Sequence, residues 1–485
     1  MVRRALRTTC SLLLALACAC LPDNPSVDTD ATTTATGGTS GATTEPTGGA
    51  AEGLFSCAAP PCTVVIVSQT LDDRIDVFDV TADPYLRGRI ATDLKPDPSG
   101  AQTMGNLLDE PYGLALDKTY FWAAIGHYPD TDRGSLLAFP RAGFTGVAAG
   151  GVFDESLYFQ AGSFNAGVQS VSLERREAIF LLPHPSGRLL VGVFANDIRA
   201  TDWTTPSELL VVDPADLQTL GVFDLGSLAM APCKGGWKLE PLSDTAQKIG
   251  VACDGSESVA VVSLPADFAT ATATEAAAGI TACGLDLGGA GSWTTQFVAA
   301  DGAGGMLAIQ AQLIGAPRLW SIGSDCAPRG APGSDLPPDL AMTRLLREPA
   351  LVRPGGGGTD PMWLVASGIP EPGVVLVRGG ASPTVCGALT GLDVLNTDDN
   401  APWSLALDAS RTHVAIGAGP ASNPELAEGK GQVLWASLDV AGLDGCQAAA
   451  TDVVDLTTDA FVVSDPHTWV RAPNVLLVAE LEGDG

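Results

Sequence analysis

PYGLALD at Pro111–Asp117, followed after two residues by YFWAAI at Tyr120–Ile125, returns near the C-terminus as PWSLALD at Pro402–Asp408 with THVAIG at Thr412–Gly417. Each copy is a short apolar run, a turn opened by Asp, and a second apolar run, which is how a β-hairpin reads in sequence. Looser copies lie between and after them. These are Ile179–Pro183 with Leu189–Val193, Trp237–Pro241 with Ile249–Cys253, Phe297–Ala300 with Met306–Ile309, Ala350–Val352 with Met362–Ala366, and Thr468–Arg471 with Val475–Ala479. A third apolar run recurs at Ile75–Asp79, Ser135–Phe139, Leu209–Val212, Val259–Val262, Arg318–Ile322, Val374–Val377 and Val433–Ala436, and a weaker fourth follows most of them, as at Leu220–Leu225.

Four antiparallel strands repeated every 55–65 positions or roughly so is the layout of a β-propeller blade. The expected fold is therefore all-β: one closed propeller. The first unit has no inner strand of its own, and the last has an inner and a second strand but no third. A ring in which the two termini share the closing blade accounts for most of this and gives seven blades; the leftover second strand leaves eight as the alternative.

The segment VVIVSQTLDDRIDVFD at Val64–Asp79 resembles the strand, acidic turn and strand of the YVTN-type, lactonase-like bacterial propellers. DPADLQ at Asp213–Gln218 is similar to the turn into that family's outer strand, although no YVTN tetrapeptide occurs. The resemblance spans residues 60–485 and implies the architecture. It implies little about chemistry, and a lactonase-like or other hydrolase stays as the alternative to a binding scaffold.

The chain has 485 residues with 26 Lys+Arg against 56 Asp+Glu, a formal net charge of −30. Such a balance excludes nucleic acid as partner, because phosphate binding needs clustered bases. The segments GxSxG, HExxH, GxxxxGK[ST] and SxxK are all missing, and His127, His184, His413 and His467 have no Ser or Cys beside them in nucleophile context. No catalytic residue, cofactor or metal is assigned. Paired carboxylates would leave no trace in sequence spacing.

Residues 1–20 read as an export signal. Arg3, Arg4 and Arg7 precede an apolar core at Ser11–Leu21 that is too short to span a bilayer. Ala17-Cys18-Ala19 before Cys20, and Ala15-Leu16-Ala17 before Cys18, resemble the lipobox of bacterial lipoproteins, which implies a lipid on that cysteine. Lipidation at Cys20 leaves 11 − 3 = 8 cysteines for pairing, whereas Cys18 would strand an odd thiol. Cys20 is the expected site and Cys18 the alternative. Neither Leu21 nor Ala19 is Asp, which in that family resembles an outer-membrane or cell-surface case; periplasmic or secreted protein is the alternative. The Thr/Gly-rich stretch 21–52 cannot bury a core and is expected to be a disordered linker, reaching about 30 Å as a random coil. The head would be 53–485.

Export makes the remaining cysteines disulfide candidates. Cys233 and Cys253 flank a hairpin centred near Ser243-Asp244 and should face each other; Cys57 and Cys62 bracket a short loop. Cys326, Cys386 and Cys446 recur at spacings of sixty on neighbouring outer rims that are expected to splay apart, so their pairing, and that of Cys283, is left open. Tyr112, Trp237, Trp293, Trp403 and Trp469 all read as entries to inner strands. They either pack blades together or form an aromatic collar that takes an apolar or sugar-like ligand. Trp320 and Trp435, on third strands, should be core. The acidic loops Asp130–Gly134 and Asn396–Asn400 are either solvated turns or oxygen ligands for calcium. Two functions compete: a non-catalytic protein- or ligand-binding scaffold at the envelope, or a secreted hydrolase with acids at the channel mouth. Loss of the three signal arginines leaves 23 bases against 56 acids, so a partner drawn electrostatically should be cationic. The membrane is otherwise met only through the lipid.

Overall fold

The computed structural model describes residues 53–57, 60–69, 74–83, 85–92, 108–128, 135–142, 144, 147–148, 159–160, 163–164, 169–173, 176–195, 206–214, 216–288, 294–311, 317–333, 346–368, 372–395, 397, 400–420, 431–457 and 473–481. The chain folds almost wholly as β-strands, and the one α-helix among the described residues is Ala273–Ala278. The stretches 1–20 and 21–52, expected to be signal and linker, lie outside the described residues with Cys18 and Cys20, as do the loop Asp130–Gly134, His467 and most of Asn396–Asn400. Asn400 itself is the buried first residue of a strand, and its amide donates to Gln432.

Among the described residues the strands pair as antiparallel units, numbered in chain order, most of them an inner, second, third and outer strand. The second unit is Leu108–Leu116, Tyr120–Tyr128, Ser135–Pro140 and Gln169–Ser172; the third is Arg176–Pro183, Leu189–Ala195, Ser207–Asp213 and Asp216–Asp224. The fourth is Gly236–Pro241, Lys248–Cys253, Ser258–Ser263 and Thr281–Asp286. The sixth is Leu346–Arg353, Met362–Ser367, Gly373–Arg378 and Thr384–Thr390, and the seventh is Asn400–Leu407, His413–Pro420, Gln432–Asp439 and Ala448–Asp455.

Two units depart from the expected pattern. The fifth, Thr294–Ala300, Met306–Ala311 and Arg318–Ile322, has three strands. Its outer place is taken by Pro328–Gly333, held only by isolated bridges from Ile322 to Pro328 and from Leu319 to Gly333. Pro328 and Pro332 have no N–H to give a ladder, so no regular strand forms. The first unit, Cys62–Gln69, Arg74–Asp79 and Leu86–Ala91, takes Pro473–Leu481 as its inner strand, with Cys62 opposite Leu481 and Ile66 opposite Leu477. Val475–Ala479, read in sequence as the second strand of a further unit, is thus an inner strand.

Why the strands carry near-continuous apolar runs follows from their two buried faces. Along Cys62–Gln69, Val64 and Ile66 pack on Phe121 and Leu137 of the second unit. The alternate residues Val65 and Val67 pack on Ala415 and Val433 of the seventh. The same alternation fills an apolar layer between every other pair of neighbours, from Trp122 with Val191, through Val211 with Ile249, to Leu364 with Ile416. Layers between units, rather than one central core, hold the head together.

Asp at the end of the quoted repeat is explained by the turn it closes. Asp117 accepts the backbone N–H groups of Thr119 and Tyr120 and the indole N–H of Trp122, each at 2.7 Å. Asp408 accepts those of Thr412 and His413 at 2.8 and 2.9 Å, and Asp301 does the same for Ala303 and Gly305. A carboxylate that takes over the turn's orphan donors favours a tight inner-to-second hairpin.

Four disulfides pair all eight cysteines of the described residues: Cys57–Cys62, Cys233–Cys253, Cys283–Cys326 and Cys386–Cys446. The last corrects the expectation that neighbouring rims splay apart. The outer strands of the sixth and seventh units meet there, pairing in parallel at Leu389–Ala448 and Thr390–Ala449. Gly387 permits the approach, since a Cβ on it would sit 2.1 Å from the carbonyl oxygen of Cys446. Trp320 and Trp435 are also corrected. Both are half-buried, Trp435 stacking on His413 at 5.2 Å, while the fully enclosed indoles are Trp122 and Trp363 on second strands.

Candidate functional site

Every inner strand breaks register with its second strand toward its N-terminal end, and that of the sixth unit breaks again at Val352. The residues unpaired at the N-terminal breaks are Tyr112, Ile179, Trp237, Gln296, the pair Arg347-Glu348, Trp403 and Asn474. A β-bulge bends its strand and re-aims the extra side chain, so a bulge repeated at the same end of the inner strands makes Tyr112, Trp237, Arg347 and Trp403 one set of re-aimed positions, the bulge ring. Tyr112, Trp237 and Trp403, singled out in sequence, occupy equivalent bulges. Trp293 and Trp469 lie outside the described residues, and in their units the bulge falls at Gln296 and Asn474 instead.

Side chains of the ring reach across the axis. Tyr112 of the second unit meets Trp237 of the fourth edge-on, with ring centres 6.3 Å apart. The guanidinium carbon of Arg347 stands 3.2 Å over the ring of Trp403, a cation–π contact between the sixth and seventh units. Trp403 Nε1 is enclosed without a hydrogen-bond partner. Lys238, next to the fourth unit's bulge, donates to the Glu348 carboxylate of the sixth and lies 5.8 Å from the ring centre of Phe180 in the third. Glu348 also accepts the backbone N–H of Leu405 at 3.4 Å, and Glu240 accepts that of Ala300 at 3.3 Å. Three charged side chains thereby tie five successive inner strands together.

Burial works against the charge of Lys238, but the carboxylates of Glu348 and Glu240 outweigh it and hold its ammonium above the usual lysine value. Burial pushes the Glu240 carboxyl up, further than Lys238 and the Ala300 N–H draw it back. Sequence reading missed Lys238, Glu240, Arg347 and Glu348. WKLEP at Trp237–Pro241 carried a signal for two of them, since a Lys and a Glu alternate within an otherwise apolar inner strand.

His184 and His413 lie elsewhere. His184 occupies the inner-to-second turn of the third unit, its Nδ1 against Ser186 and its ring edge-on to Phe268 at 4.9 Å. His413 follows the matching turn of the seventh unit beside Asp408. These turns close the opposite ends of the inner strands from the bulges, so the imidazoles of His184 and His413 do not converge with the carboxylates of Glu240 and Glu348. Asp408 is held below the usual carboxylate range: burial opposes this, but donors from Ser410, His413 and Thr412 prevail. His127 lies on the second strand Tyr120–Tyr128, opposite Asp109.

No family model and no curated protein matches the chain. Among solved structures, a protein from Lactobacillus plantarum is similar at 11% identity, covering 87% of this chain and 100% of that one, with a TM-score of 0.50. The periplasmic gluconolactonase of Pseudomonas aeruginosa is similar at 12% identity over 87% of this chain and 99% of its own, with a TM-score of 0.48. The β-propeller domain of Cps50 from Myceliophteria thermophila is similar at 10% identity over 71% and 86%, with a TM-score of 0.40. At these identities the likeness is one of fold. The class defined by fold and cysteines is a disulfide-bonded, all-β protein of the β-propeller type, with bonding suited to an oxidising compartment.

Proposed function

We propose that the chain is an exported, envelope-tethered propeller of seven blades, closed by its terminal strands, that acts as a non-catalytic binding scaffold. The observation that carries this reading is the state of the axis. Lys238, Glu240 and Glu348 are spent on one another and on backbone N–H groups, which leaves them as braces between strands rather than as a nucleophile and base. The aromatic and guanidinium side chains of the bulge ring then form the face offered to a partner, and the acidic surface favours a cationic one. The tether is a lipid on Cys20.

The test sets capture against turnover. The full chain should retain a cationic partner from envelope fractions at low salt, release it as salt rises, and lose it in Trp403→Ala. Turnover of any substrate in a lactone and ester hydrolysis panel that disappears in Glu240→Gln would overturn the scaffold. Mass spectrometry of the mature N-terminus should find a lipidated Cys20; an unmodified terminus downstream of it would remove the anchor.

A further inference from the structure

The linker enters the head at a chemically distinctive seam. Leu54 and Phe55 are fully buried between the first and second units, where Phe55 stacks on Phe121 at 4.7 Å. Two residues on, Cys57 Sγ lies 3.4 Å from the carbonyl oxygen of Leu481, on the strand that closes the first unit, and is bonded to Cys62, which faces Leu481 in register. Arg87 reaches both sides of this joint. Its Nη2 donates to the Gly53 carbonyl at 2.9 Å, and its Nη1 stands 3.7 Å from Cys62 Sγ and 3.8 Å from Asp79 Oδ2.

We propose that Cys57–Cys62 is a thiol-exchange site that latches the tether to the closing strand, its co-substrate a thiol or dithiol reductant. In the first step an external thiolate attacks the half-buried Cys57 Sγ. A sulfur–sulfur bond forms there while the Cys57–Cys62 bond breaks, and the electron pair leaves on Cys62 as a thiolate beside the Arg87 guanidinium. A second external thiolate then attacks the external sulfur of the mixed disulfide, forming the oxidised reductant and releasing Cys57 as a thiolate that takes a proton from water. A neighbouring guanidinium lowers a thiol's proton affinity and makes it a better leaving group. None of the other disulfides has an arginine recorded at its sulfur among the described residues. Cys233–Cys253 is wholly enclosed, and the exposed Cys283 is joined to Cys326, the neighbour of Asp325. This site is independent of the scaffold reading.

The test uses the full folded chain in reduced glutathione, quenched at intervals by alkylation and mapped by peptide mass. Cys57 and Cys62 should be alkylated before Cys386, Cys446, Cys233 and Cys253. Arg87→Gln should slow their opening about threefold, the effect of roughly one pKa unit on the leaving thiol, and Arg87→Lys should preserve the rate. Opening of Cys283–Cys326 should be the same in all three chains. Hydrogen exchange after opening should rise at residues 53–57 and along Pro473–Leu481. Opening of Cys57–Cys62 no sooner than Cys386–Cys446, an unchanged rate in Arg87→Gln, or unchanged exchange at 53–57 would each overturn the latch.

Discussion

The joint between the sixth and seventh units and the joint between the seventh and the first do the same geometric job with different means. At the former, eighteen buried side chains fill the layer, the outer strands pair in parallel, and Cys386–Cys446 crosses it. Arg353 and Arg378 of the sixth unit also hold Asp444 of the seventh, by its carboxylate at 2.6 Å and its carbonyl at 2.5 Å. Among the described residues the latter has eight buried side chains against those eighteen, and none of the four disulfides crosses it. Units consecutive in sequence can be stapled at their rims. Between the seventh unit and the first, Pro473–Leu481, paired with Cys62–Gln69 inside the first unit, is met instead by Ser404, whose hydroxyl donates to the Pro473 carbonyl at 2.8 Å.

That contrast can be broken most decisively by removing residues 473–485. The first unit then loses its inner strand and exposes Val64–Val67 along an open edge, so cooperative thermal unfolding followed by circular dichroism should disappear. A head that still melts as one unit would show that the terminal pairing is dispensable. The stapled joint should fail more gently. Replacing Cys386 and Cys446 together by Ser should cost about 4 kcal/mol in denaturant unfolding, against about 2 kcal/mol for Cys57 with Cys62, because the first bond closes a sixty-residue span and the second a five-residue one. Equal losses would mean that strain or local contacts, and not chain entropy, set the difference.

Aromatic truncations sharpen the division between layers and axis. Trp122→Ala or Trp363→Ala, in fully enclosed sites, should cost about 3–5 kcal/mol in urea titration. The half-buried Trp403 should cost about 1 kcal/mol, chiefly its stacking with Arg347. A Trp403→Ala loss as large as that of Trp122→Ala would make the bulge ring a packing device and end its candidacy as a binding face. The smallest effect belongs to His184 in the layer between the third and fourth units. Burial holds its imidazole below the usual 6.5. The unfolded chain therefore takes up the proton first, and stability present above pH 6.5 is lost as pH falls through that value toward the lower folded one. The slope of stability against pH below 6.5 should flatten in His184→Gln; an unchanged slope would assign it to the carboxylates.

The units were legible because their grammar is local. Alternating two-faced apolar runs and an Asp that caps the next turn act within a dozen residues, and Pro111–Asp117 and Pro402–Asp408 carry both. Of the aromatic positions, Tyr112, Trp237 and Trp403 share a bulge, while Trp293 and Trp469 lie outside the described residues and the bulge of their units falls at Gln296 and Asn474, which residue type alone does not mark. Sequence by itself determined the strands, their order within each unit and the acidic, cysteine-bearing character of the head. Tertiary structure alone decided that Pro473–Leu481 serves the first unit, that Cys386 meets Cys446, and that Lys238 crosses the axis to Glu348. Each depends on segments far apart in the chain being brought together by the curvature of the whole, and no periodicity within a strand encodes such a meeting.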